Sequence, residues 1–248
     1  YDWACVAEER RALITQFATA FDAAKKITNY PNCDAKFNKD GKGEHKLEND
    51  FAPGGLQNNY FNDLFRKEAK TSLTLLDHQF PNGLFKVENS AEPRLKYQIF
   101  PTGFFDLLGV DEKGDLCVFE LKKDSGNEKM GLLSELFFYA IFIQDFLVKE
   151  QCLGESTQDY RHYQDFKRAF SKAKKIRAFF LVRCVDNTRK GERDEIKAGV
   201  HTLIWENKEK LMELLNQYDG AISFELMQYD RSKFAKEGDT GADIPSCP

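Results

Sequence analysis

Asp106, Glu120 and Lys122 have the side-chain types that hold a divalent cation and activate a water, and their spacing can bring them together. Between them lies Asp111-Glu112-Lys113-Gly114-Asp115, which has the composition of a hairpin turn. A three-residue loop Glu112-Lys113-Gly114, with Gly114 in the left-handed conformation, pairs Asp111 with Asp115. Counting back along that antiparallel register sets Asp106 opposite Glu120. Strand alternation adds Leu108 and Val110 to the same face, with Leu116, Val118 and Lys122. An apolar face thus ends in two carboxylates and a lysine. Like charges directly opposite are destabilising, and a partly buried pair stays ionised only when a cation joins it. All-oxygen ligation favours Mg²⁺ or Mn²⁺. An ordinary hairpin also satisfies the pattern, its charged end dipping into solvent with Lys122 paired to Glu120 or Asp106.

Two more carboxylates interrupt apolar helical stripes. Met130–Lys149 reads as a strongly apolar helix, and Glu135 shares its stripe with Tyr139, Phe142 and Phe146. On a helix expected over about Asn58–Asp77, Glu68 follows Phe61 by seven residues and Leu64 by four, again on the apolar side. Each alone is also consistent with a carboxylate at the rim of a core.

The elements that must position these groups follow from periodicity. Residues 6–27 suit an amphipathic helix carrying Leu13, Phe17 and Phe21, and 31–56 is a polar stretch expected as a long loop or arm. Its Lys36, Lys39, Lys42, His45 and Lys46 could close over a substrate. Strands are expected at Leu95–Phe100, Phe104–Val110 and Leu116–Lys122, then the Met130–Lys149 helix. A basic helix over Tyr160–Lys175 and a buried strand over Arg177–Val185 come next. A charged loop at 186–198, a strand at Val200–Trp205, a helix at Asn207–Gln217 and a strand at Ala221–Gln228 complete the order, which implies a mixed sheet flanked by helices, an α/β fold. The expected division is 1–57 as helix and polar loop, 58–185 as core, 186–235 as its extension and 236–248 as a flexible tail.

Composition sets the outer limits. In 248 residues, 42% are hydrophobic and 31% charged, enough apolar chain for a real core and too much for disorder. Cys5, Cys33, Cys117, Cys152, Cys184 and Cys247 form no CxxC pair, which suits reduced thiols, with Cys117 and Cys184 acting as small hydrophobes. The four histidines are too isolated for a zinc site. The charged first residues lack the apolar core of a signal peptide, and Glu135, Gln144 and Asp145 break up Met130–Leu147, the longest apolar stretch. A cytoplasmic protein without a membrane span is expected.

With Asp106, then Glu120-Leu121-Lys122, then a helix bearing Glu135 and Tyr139, the chain resembles the PD-(D/E)XK nuclease superfamily over roughly residues 58–185. The order helix, three strands, helix, strand is similar as well. Glu68 matches the acidic residue often found on that family's first core helix, and Glu135 with Tyr139 resembles the Q-x-x-x-Y motif of its RecB-like branch. Phe105 stands where proline is usual and Glu135 where glutamine is. The resemblance implies a restriction-endonuclease-like core with catalytic residues Asp106, Glu120 and Lys122. It implies Mg²⁺ or Mn²⁺ held by Asp106, Glu120 and the Leu121 carbonyl, with Glu68 completing the shell through water. Lys122 would orient or help deprotonate the attacking water, its pKa depressed by nearby metal. Glu135 and Tyr139 would position that water or the substrate backbone.

Net charge is −4, which disfavours loose coating of nucleic acid, but charge is unevenly spread. Arg161 to Arg177 holds seven basic residues and one acid. Tyr160, Tyr163, Phe166 and Phe170 form the inward stripe, so Arg161, Lys167, Arg168, Lys172, Lys174 and Lys175 are candidates to grip phosphates. A solvated helix face fits the same run. The expected function is metal-dependent hydrolysis of DNA, with a homodimer as one possible assembly. The rivals are a catalytically silent nucleic-acid- or protein-binding domain that keeps the fold, and a ribonuclease or defence nuclease. No P-loop, G-x-G-x-x-G, G-x-S-x-G or H-E-x-x-H is present.

Overall fold

The computed structural model describes residues 27–28, 44–81, 84–86, 98–100, 104–121, 131–149, 163–183, 206–217 and 219–234. The expected helix at 6–27 apart from its last residue, the loop at 186–198, the strand at Val200–Trp205 and the tail from 236 lie outside them, as do Lys36, Lys39, Lys42, Arg161 and Lys122.

The centre is a five-stranded mixed sheet in the order β2-β5-β6-β7-β8. Its strands are β2 (Leu73–Pro81), β5 (Phe104–Asp111), β6 (Leu116–Leu121), β7 (Ile176–Arg183) and β8 (Ile222–Tyr229). β2, β5 and β6 are antiparallel neighbours, whereas β6, β7 and β8 run parallel. Parallel neighbours need crossovers. The first carries helix α3 (Gly131–Phe142), a π-helix (Ile143–Lys149) and α4 (Tyr163–Lys172); the second carries α5 (Lys208–Asn216). Among the described residues, helices α1 (Glu44–Phe51) and α2 (Asn58–Ala69) precede β2. The short strands β1 (Ile27–Thr28), β3 (Leu84–Lys86) and β4 (Gln98–Phe100) form a separate three-stranded sheet, β3 and β4 lying between β2 and β5 in the chain.

Helices cover both faces of the large sheet, which is why β6 and β7 read as almost unbroken apolar runs. On one face Leu107, Cys117, Phe119, Phe179 and Leu181 pack under α1 and α2 through Phe51, Phe61 and Phe65. On the other, Leu108, Leu116, Val118, Ala178 and Phe180 meet Leu136 and Ala140 of α3, Phe166 and Phe170 of α4 and Leu215 of α5.

Several sequence expectations change. The helix at Asn58–Asp77 stops at Ala69, where Lys70 turns left-handed at φ 56° and caps it, and Leu73–Pro81 is an edge strand instead. The first strand of the central meander is therefore β2, and the described part of the expected strand at Leu95–Phe100 is β4, in the small sheet. The polar stretch 31–56 contains α1, whose Leu47 and Phe51 share one face and are buried; Phe51 stacks on Phe61 at 4.9 Å. The basic helix ends at Lys172, and the apolar helix changes to a π-helix from Ile143.

The β5–β6 turn has the expected form. Asp111 N–H donates to Asp115 O at 3.0 Å, Gly114 has φ +80°, and Leu108 faces Val118. Asp111 does more than pair: its Oδ1 accepts from Lys113 N–H at 2.9 Å and Asp115 N–H at 3.0 Å. Its Oδ2 accepts from Arg177 at 3.0 Å, and Arg177 also donates twice to Glu225 on β8, at 2.7 and 2.8 Å. The guanidinium lies over the rings of Phe65 and Phe179, so three strands (β5, β7 and β8) and α2 meet at one charge. Burial works against that charge, yet the bonds to Glu225 and Asp111 hold the Arg177 pKa above its ordinary value. Arg177→Met keeps the side chain's bulk but leaves the Asp111 carboxylate, fully buried, without its cation. It should lower the unfolding free energy by about 3–5 kcal/mol in chemical denaturation. Gly114→Ala, which forces a Cβ into the left-handed region, should cost only about 1 kcal/mol by the same measurement.

Candidate functional site

The sheet has two distinct ends. β5 begins and β6 finishes at one of them, the carboxylate end; the Asp111 turn and the starts of β6, β7 and β8 mark the other, the hairpin end.

At the carboxylate end the β5–β6 ladder runs as far as Leu107–Phe119 and then opens. A continuing ladder would direct Leu121 N–H to the Phe105 carbonyl. It goes instead to Asp106 Oδ2, at 2.6 Å. A strand N–H points along the sheet, so the Asp106 carboxylate lies in the gap between the strands, against the backbone of Leu121. Phe105 follows the same distortion. Strict alternation would place it with Leu107, but its ring joins the other face, stacked near Phe80 and edge-on to Tyr139 at 5.1 Å.

Glu120 is the next residue on β6 and is 2% exposed, an unusual place for a carboxylate. By alternation it shares the α3 face with Leu116 and Val118, and it pairs in register with Phe180 of β7. Glu135 and Tyr139 stand one turn apart on α3. Tyr139 touches Phe105, the neighbour of Asp106; Glu135 is half-buried, with its Oε2 shielded from solvent. Asp106, Glu120, Leu121, Glu135 and Tyr139 are thus brought to one end of the sheet. Lys122 follows Leu121 directly, outside the described residues.

Glu68 is not part of this group. It sits in the last turn of α2, which packs on the opposite face and joins β2 at Leu73, the partner of Asp111. The preceding turn, at Phe65, lies under Arg177 at the hairpin end. From Asp111 to Asp106 is five strand residues, ~17 Å at ~3.4 Å each, so Glu68 cannot complete a metal shell on Asp106. Its carboxylate is 40% exposed and lies 3.9 Å from Lys67.

The basic residues also go elsewhere. Arg177 is committed to the buried ion network and cannot meet a phosphate. Lys175 precedes β7, its carbonyl accepting from Leu116 N–H at 3.0 Å, so it belongs to the hairpin end. Arg168, Lys172 and Lys174 line a cavity beside the Asp111 turn. Lys167, half-buried on α4, does not line it. The parallel crossover returns the chain from α4 to the start of β7, so this basic run lies at the end of the sheet far from the carboxylates.

Among the described residues, the carboxylate end offers hard oxygen donors, the type that suits Mg²⁺ or Mn²⁺. Among the described residues no group of three or more His, Cys, Asp or Glu could hold a metal, so a cation here would rest on the Asp106 and Glu120 carboxylates with main-chain oxygen. Cys117 offers no alternative nucleophile: burial pushes its thiol pKa up, and Asp111 adds to the shift. Sequence reasoning missed the Arg177 network, although an arginine in the apolar run Arg177-Ala-Phe-Phe-Leu-Val signals a buried cation that must find a carboxylate.

No protein-family model, curated protein or solved structure matches the chain. Among the described residues no helix is long and apolar enough to cross a membrane.

Asp106→Ala should leave Leu121 N–H without its acceptor and lower stability by about 1–3 kcal/mol. Asp106→Asn, which keeps an acceptor oxygen, should cost less. Thermal or chemical denaturation of the pair measures the difference, and equal losses would remove the structural role given to this bond.

Proposed function

We propose that the protein is a metal-dependent nuclease that hydrolyses phosphodiester bonds in DNA, with a core of the PD-(D/E)XK type. The observation that carries this reading is the Asp106 carboxylate held against the Leu121 backbone, beside buried Glu120, where the antiparallel ladder opens. The order α2, β2, β5, β6, α3, β7 supports it, since it repeats the helix, three strands, helix and strand of that family.

The chain's own groups divide the work. Leu121 N–H fixes one Asp106 oxygen, so the carboxylate is oriented before substrate arrives. Burial keeps Glu120 from swinging away. These carboxylates and the Leu121 carbonyl would hold Mg²⁺ or Mn²⁺, which when bound supplies Lewis acidity and a more acidic water. Lys122, the next residue along the chain, would orient the attacking water and add positive charge near the phosphorus as negative charge builds. Water adds to phosphorus, the bond to the leaving oxygen breaks, and the products are a phosphate monoester and an alcohol. Glu135 and Tyr139, one turn apart on α3, position water or substrate backbone. A cytoplasmic location and a DNA partner go with this reading.

The position of Glu68 favours a second reading, a domain of the same architecture that binds nucleic acid or protein without cutting. The acidic residue of the first core helix is out of reach of Asp106, leaving the smaller donor set.

Plasmid cleavage in Mg²⁺ or Mn²⁺ should be lost on adding EDTA, and should fall by about two orders of magnitude or more in Asp106→Asn, Glu120→Gln and Lys122→Ala, with circular dichroism unchanged. Cleavage that persists in those folded variants would overturn the catalytic assignment. Absence of Mn²⁺ binding in calorimetry would favour the silent domain.

A further inference from the structure

The cavity at the hairpin end is unused by the proposed chemistry. It has a volume of about 570 Å³, within the ~300–1,000 Å³ typical of small-molecule sites. Its wall is apolar where the sheet meets α4, formed by Leu75, Leu76, Val110 and Ala169. Its rim is basic: Lys113 from the turn, Arg168 and Lys172 from α4, and Lys174 from the link into β7. Asp165 is the one carboxylate among the described lining residues and lies 3.9 Å from Arg168. Lys113, Lys172 and Lys174 have no ion-pair partner among the described residues.

Four cations against one carboxylate, on a chain of net charge −4, make a local positive field at the mouth of an apolar recess. Such a lining discriminates on two features at once. The rim stabilises a multiply charged anion, and the planar Arg168 guanidinium can take two phosphate oxygens together. The wall rewards an apolar or aromatic body that leaves water on entry. Inorganic phosphate satisfies only the rim, and a neutral base only the wall.

We propose that this cavity binds a free nucleotide, with phosphates on Lys113, Arg168, Lys172 and Lys174 and the base against Leu76, Val110 and Ala169. The site is distinct from the carboxylate end, about five strand residues or ~17 Å away. It needs no divalent cation and is independent of whether the chain cuts DNA. It also gives Arg168, Lys172 and Lys174 a task that a track along nucleic acid does not explain, since they surround a recess.

Calorimetric titration of ATP into the full chain in EDTA tests the inference while the nuclease chemistry is silent. Saturable binding is expected, with tripolyphosphate and adenosine each binding more weakly than ATP. The double variant Lys172→Glu/Lys174→Glu, shown folded by circular dichroism, should weaken ATP by about tenfold or more, the scale of one lost charge-assisted contact. No saturable binding, or ATP binding unchanged in that variant, would overturn the proposal. Tripolyphosphate binding as tightly as ATP would overturn the role of the apolar wall. A short single-stranded oligonucleotide that binds the same residues more tightly than ATP would replace the nucleotide site with a nucleic-acid groove.

Discussion

A single buried carboxylate, Asp111, sets the geometry on which the rest of the sheet depends. One oxygen closes the β5–β6 turn by accepting two backbone N–H groups, and this fixes the hairpin register. The other holds Arg177, which clasps Glu225 and so fastens β7 and β8 to the same point. A slip of one residue in that hairpin would turn every apolar side chain of β5 and β6 to the wrong helical layer. It would also separate Asp106 from the Leu121 backbone. The carboxylate at one end of the sheet is in this sense positioned by the carboxylate at the other.

The hairpin was legible because its determinants are local. A five-residue turn with one glycine in the left-handed position specifies the register, and strict alternation then places Leu108 against Val118. The helix boundary after Ala69 was not legible for the opposite reason. The cap is Lys70, without a glycine to mark it, and Leu75 and Leu76 continue the helical spacing of Phe61 and Phe65 by coincidence. Helix α1 was hidden because two apolar residues among eight suffice to anchor it once Phe61 and Tyr229 are there to receive Phe51. Those partners come from distant parts of the chain. The same holds for the site. Glu135 and Tyr139 follow from helical spacing, whereas the exclusion of Glu68 and the removal of the basic run require the direction of α2 and of the crossover.

Placing Asp106 and Glu120 at one end of the sheet and the exposed Lys113, Arg168, Lys172 and Lys174 at the other gives the molecule a polarity that its composition conceals. The antiparallel meander brings the start of β5 and the finish of β6 together at the carboxylate end. Both parallel crossovers return the chain to the hairpin end, where the exposed cations of α4 and the turn gather. In between, the sheet is covered by aromatic rings on both faces, and Phe61, Phe65, Phe119 and Phe179 interlock on one of them. This packed apolar layer separates the two charged regions.

The Arg177 network also bears on the order in which the chain assembles. Its bonds join residues 66 and 48 positions apart, whereas the turn bonds of Asp111 span two and four. Contacts closing short loops form cheaply, and those closing long ones wait for the chain between them to be ordered. The hairpin can therefore form before β7 and β8 arrive, with one oxygen of Asp111 already engaged. Its second oxygen remains exposed to water until Arg177 docks, so the desolvation of this ion group is deferred to the step that completes the sheet.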